Sequence, residues 1–103
     1  MASLTARQRA HLKTLAHPLK PIMQIGKDGL TDAVARTVED AFHTRELLKI
    51  KVLEAAPAGA REIGDALAGA LGGVHLVQVI GRTLVLYRRH ADKPEIVLPG
   101  ASR

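Results

Sequence analysis

A chain of 103 residues with 47% hydrophobic content is long enough for one unstapled core and too apolar for a disordered tail. The absence of cysteine excludes a disulfide framework, a thiolate nucleophile and cysteine-ligated zinc, and no apolar run approaches the roughly 18–20 residues that cross a bilayer. The formal net charge is +5, and Arg7, Arg9, Lys13, Lys20 and Lys27 all precede the first acid, Asp28, after which bases and acids cancel.

In chain order, Thr5 with Gln8 three residues later has the form of a capping box and predicts a helix from Ala6 to Ala16. Leu12, Leu15 and Ala16 are expected to share its thin apolar face. Pro18 stops the helix, and His17 to Pro21 makes a stiff connector. Ile22 to Ile25 reads as a strand. Gly26-Lys27-Asp28-Gly29 follows as a glycine turn, and Thr31 is placed to cap a second helix, expected over Asp32 to Thr44, with Val34, Val38, Ala41 and Phe42 on its apolar face. Leu47 to Leu53 alternates, with Leu48, Ile50 and Val52 on one side and Lys49 and Lys51 on the other, which predicts a half-buried strand with a basic outer side. After a loop containing Pro57, Ile63, Ala66, Leu67, Ala70 and Leu71 predict a third helix that ends at Gly72-Gly73. Val74 to Ile80 and Thr83 to Arg88 predict a hairpin, with Gly81 in the first central position that a type II′ turn prefers. Ile96 to Leu98 is expected to add a short edge strand. The order α-β-α-β-α-β-β implies two right-handed crossovers and a closing hairpin, hence an α/β fold with a four-stranded mixed sheet and three helices.

Catalytic candidates are poor. His11, His17, His43, His75 and His90 show no metal-binding spacing, so neither a metal nor another cofactor is expected. The serines, Ser3 and Ser102, lie at the chain ends. Acidic residues such as Glu39, Asp40, Glu62 and Asp65 read as solvated helix faces. The chain does not read as an enzyme, and no small-molecule substrate is expected.

A binding role fits better. Strand, glycine turn and helix start present main-chain amides and the positive end of a helix dipole, with Lys27 inside the turn and Lys20 leading into it. That geometry suits the phosphates of RNA. Against it, glycines often serve turn geometry alone, and Asp28 and Asp32 place negative charge at the turn. With Phe42 and Tyr87 as the only aromatic residues beside the histidines, recognition by several stacked bases is not expected. Contacts should go to phosphates, and a structured or double-helical target suits them. Two alternatives stay open: the basic face could dock an acidic protein, or the first helix could lie on anionic lipid, although that helix lacks Trp or Phe anchors and a broad apolar face. No apolar signal-peptide region follows the arginine-bearing first residues, so a cytoplasmic address is expected.

Three segments taken together resemble a known family. They are Leu12 to Pro21 running into Gly26-Lys27-Asp28-Gly29-Leu30-Thr31, then Glu46 to Val52, then Val77 to Arg88. The chain is similar to the CRM domain (chloroplast RNA splicing and ribosome maturation) in its stand-alone bacterial YhbY-like form, over about residues 4 to 98 of a single domain. The resemblance implies a fold similar to the C-terminal domain of translation initiation factor three. It also implies a G-x-x-G loop that clamps an RNA backbone as a KH-domain loop does, and association with ribosomal RNA in precursors of the large (50S) subunit. The alanine- and glycine-rich stretch from Glu54 to Gly73 departs from the family pattern.

The expectation is therefore a monomeric RNA-binding assembly factor. Gly26 and Gly29 shape the turn, with Asp28 between them, while Lys27 pairs with phosphate and Lys13 and Lys20 widen the basic footprint. Arg7, Arg9, Lys49, Lys51 and Arg88 are secondary contacts. Gly29→Asp is expected to impair binding and leave the thermal midpoint largely intact.

Overall fold

The computed structural model describes residues 3–100; Ser102 lies outside them. The first helix, α1 (Ala6–Ala16), opens on the predicted capping box: Gln8 N donates to Thr5 Oγ1 and Thr5 N to Gln8 Oε1, both at 3.0 Å. Leu12 and Ala16 are buried, but Leu15 is 37% exposed, against expectation. The inward stripe runs instead through Arg9, Leu12 and Ala16, at i, i+3 and i+7. Arg9 can occupy it because its guanidinium donates to the carbonyls of Leu76 (2.8 Å) and Val77 (2.7 Å).

Strand β1 (Pro21–Ile25) leads through the glycine turn into α2 (Asp32–Ala41), whose Val34 N donates to Thr31 Oγ1 at 3.1 Å. Helix α2 ends three residues earlier than expected, because the chain tightens: His43 N donates to Asp40 O and Thr44 N to Ala41 O, both to the residue three before. Strand β2 (Leu47–Val52) follows, then α3 (Ala60–Ala70), and β3 (His75–Ile80) and β4 (Thr83–Tyr87) close the fold as a hairpin. Gly81 has φ +58° and no non-glycine residue among those described has positive φ, as a type II′ turn requires.

The sheet order is β1-β2-β4-β3. Strands β1 and β2 are parallel, and β4 is antiparallel to both of its neighbours. Thus β2 and β3 run the same way with β4 inserted between them, which is the mixed sheet expected from the element order. Each face carries its own apolar layer. Val38 of α2, its C-cap Phe42, and Ile63 and Leu67 of α3 pack with Leu48, Ile50, Val52, Leu84 and Leu86. On the other face Leu12 and Ala16 of α1 pack with Leu47, Val77, Val85 and Tyr87. The alternation in β4 sends Leu84 and Leu86 to one layer and Val85 and Tyr87 to the other.

Two further expectations fail for identifiable reasons. In α3, Ala66 and Ala70 are exposed and Gly64 is buried instead. A Cβ on Gly64 would lie 2.9 Å from both Leu76 methyls, so the helix rides close to the sheet on its glycine. Ile96 to Leu98 forms no strand. Its segment is instead held by the buried carboxylate of Glu46 (6% exposed), which accepts from the amides of His90 (2.7 Å), Glu95 (2.9 Å) and Ile96 (2.7 Å). With those donors spent on a carboxylate, Ile96 and Leu98 pack as side chains against the Leu12 layer.

Candidate functional site

The glycine turn stands at the C-terminal end of the edge strand β1. Gly29 N donates to Gly26 O at 2.9 Å, closing four residues, and Leu53 N donates to Ile25 O at 2.8 Å, tying the base of the turn to the end of β2. Lys27 and Asp28 are exposed at the tip. The two glycines are not equivalent. Gly29 is buried with φ +67°, and a Cβ there would meet Pro57 Cγ at 2.9 Å. Gly26 has no positive φ, and a Cβ would meet Leu53 at an ordinary 3.7 Å. Gly29 is therefore structural, which overturns the expectation that Gly29→Asp would leave the thermal midpoint intact. Asp32 occupies the first turn of α2, where it offsets the positive end of the dipole.

The strand register aligns the lysines. Pro21 pairs with Lys49, Gln24 with Lys51 and Ile25 with Val52. Because Ile50 and Val52 are buried under α2 and α3, Lys49 and Lys51 project on the α1 side. Lys49 Nζ donates to His17 O at 3.2 Å, and Lys49 shares with Lys13, Thr14, His17 and Gln78 an open groove of about 570 Å³. Lys51 lies beyond it, level with Gln24, and Lys27 lies at the loop past the end of β1. Lys20 precedes β1, so it does not flank the turn as its place in sequence suggests. A strand of five residues, roughly 16 Å, separates it from the loop. Lys13, Lys49 and Lys51 thus lie along one sheet face, with Lys20 just before β1 and Lys27 just after it, and these five lysines make up the candidate strip.

Other candidates fall outside the strip. Arg7 is exposed on α1, and Arg9 is bonded to β3 carbonyls. Arg88 makes a two-pronged pair with Glu39 at 2.8 and 3.0 Å, its side chain 19% exposed and its guanidinium 5.0 Å from the centre of the Phe42 ring. The hydrogen bond from Arg88 holds the Glu39 carboxyl below its ordinary range. Burial pushes the Glu46 carboxyl up, but the three amides that point at it outweigh burial and hold it low. Tyr87 is buried and stacks on His75, with ring centres 6.1 Å apart, so it offers no platform for a base. Burial raises the Tyr87 hydroxyl pKa and lowers that of His75, the latter with a further push from Arg9. No group of three metal-ligating side chains occurs among the described residues. Residue-by-residue reading missed Gln24 and Gln78 beside the lysines, since only strand register and the groove bring them there.

Residues 4–88 match the model of the CRS1/YhbY (CRM) domain. The chain belongs to the CRM domain family. A relative from Bacillus subtilis, named "Probable RNA-binding protein YqeI", is 36% identical over 93% of this chain and 99% of its own length. A protein of Haemophilus influenzae named "RNA-binding protein" is 37% identical over 96% of this chain and 98% of its own. The solution structure of a hypothetical Staphylococcus aureus protein, presented as a candidate RNA-binding protein, superposes with TM-score 0.79 at 38% identity, covering 94% of this chain and all of that one. The CRM match takes in the glycine loop, all five strip lysines and the hairpin, and ends at Arg88. The segment held by Glu46 lies past that boundary.

Proposed function

We propose that this CRM-domain protein binds RNA without catalysing a reaction, laying the sugar–phosphate backbone along the strip that ends at the glycine loop. The observation that carries the reading is the alignment of Lys49 and Lys51 on one sheet face, with Lys13 sharing the groove of Lys49 and exposed Lys27 at the loop tip. The names of the relatives support the ligand class. Arg9 and Arg88 belong to the scaffold of this reading, and Arg7 to its periphery. The family resemblance supports a finer assignment: a monomer in the cytoplasm that associates with ribosomal RNA of large-subunit precursors and assists their assembly.

Two measurements test it. Titrating a ribosomal RNA fragment against Lys27→Glu at several salt concentrations should show weaker binding and a salt slope reduced by about 0.7–0.9, one phosphate's worth. An unchanged affinity and slope would remove the loop from the interface. In a sucrose gradient the native protein should sediment with large-subunit precursors and leave those fractions after RNase treatment. Retention on an acidic partner after RNase would favour protein docking instead.

A further inference from the structure

On the α3 side of the glycine loop, opposite the lysine strip, Gly29 and Leu30 form one wall of a groove of about 250 Å³. Pro57, Ala58, Ile63 and Ala66 complete it, with Glu62 the one charged residue in the lining. Its chemistry contrasts with the strip. A phosphate would find no cation here and would be repelled by Glu62, whereas the apolar walls suit the face of a ring. The groove is smaller than the roughly 300–1,000 Å³ of ordinary small-molecule sites, so it takes one flat group. Gly29 itself is covered by the Pro57 ring, so a flat group would lie against Pro57 and Leu30 rather than on the Gly29 main chain. The groove begins where the loop ends: Gly29, which lines it, directly follows the exposed Lys27 and Asp28, so a nucleotide whose phosphate lay over the tip would have its base beside Leu30 and Pro57.

We infer that this groove receives one unpaired nucleobase from the RNA strand held at the loop, with Glu62 accepting from the base's exocyclic amino group. The inference rests on the RNA-binding reading above and deepens it. Glu62 Oε1 already accepts from Gly59 N, at a long 3.4 Å, and a carboxylate has acceptor capacity beyond that bond. An acidic acceptor matches the amino edge of cytosine, and adenine and guanine also carry amino groups, whereas uracil has none. The preferred target is then a structured RNA that presents an unpaired nucleotide, since a base inside a continuous duplex cannot enter the groove.

Fluorescence anisotropy with short single strands tests this: oligo(C), oligo(U), and an abasic strand that keeps the ribose–phosphate backbone. The native protein should bind oligo(C) about tenfold more tightly than the abasic strand, with oligo(U) weaker than oligo(C). Ala66→Leu fills the groove from an exposed helix position with a good helix former, so the fold should survive. It should abolish the preference for oligo(C) while leaving the salt slope unchanged. Equal binding of oligo(C) and the abasic strand by the native protein would overturn the groove, and that comparison needs no variant. A preference for oligo(C) that persists in Ala66→Leu would overturn it too. Failure of the RNA-binding reading looks different: neither these strands nor a structured ribosomal RNA fragment binds.

Discussion

Gly29 and Arg88 show how a single residue's role depends on its surroundings more than on its type. Gly29 sits at φ +67° with Pro57 Cγ at 2.9 Å from where a Cβ would be, so Gly29→Asp combines backbone strain with a clash. A loss of about 1–3 kcal/mol is expected, read as a lowered thermal midpoint, while Gly26→Ala should melt close to the native protein. Arg88 carries a charge that sequence reading assigned to RNA. Its pair with Glu39 and its position over Phe42 make Arg88→Ala a stability variant instead. About 1 kcal/mol should be lost in urea denaturation, with RNA affinity and salt slope retained.

At the level of elements, the segment after β4 is organised by one carboxylate. Glu46 precedes β2 and gathers three amides from a stretch that lacks regular structure, so a neighbour's side chain replaces the ladder a strand would have supplied. Glu46→Gln keeps the shape but loses the charge and one acceptor oxygen, leaving an amide of the segment without its bond. A cost of about 1–3 kcal/mol is expected, with faster amide hydrogen exchange at Ile96 or His90. Acid should act in the same direction. Glu39 and Glu46 both have carboxyls held below the ordinary 4.5. Their stabilisation is therefore complete above that value and is lost as pH falls through their lower folded values. Denaturation midpoints should drop below about pH 4.5, and Glu46→Gln should flatten that part of the profile.

Across the whole molecule, the two sheet faces divide the work. One is buried under α2 and α3, while the other is covered by α1 at the Leu47 and Tyr87 end and keeps Lys51 open toward the loop. The charge excess, crowded into the first 27 residues, is joined in space by two lysines from the middle of the chain. Replacing Lys49 and Lys51 together by Gln should lower the salt slope of RNA binding by about 1.4–1.8, two phosphates' worth, with little change in the melt. A slope equal to that of the native protein would remove β2 from the interface.

Local chemistry made much of this protein readable. The capping box at Thr5, the Thr31 cap, the alternation through Lys49 and Lys51 and the glycine of the hairpin each act within a few residues, and seven elements with a mixed sheet follow from their order. Three segments were enough to indicate the family. What sequence could not supply were contacts made across the fold. Arg9 faces β3, Pro57 closes on Gly29, Glu46 claims distant amides, and Lys20 stands a strand's length from the loop it precedes. Helix and strand periods specify which side of an element a residue occupies, but only the packed arrangement specifies what stands opposite, and a charge is spent or available according to that neighbour.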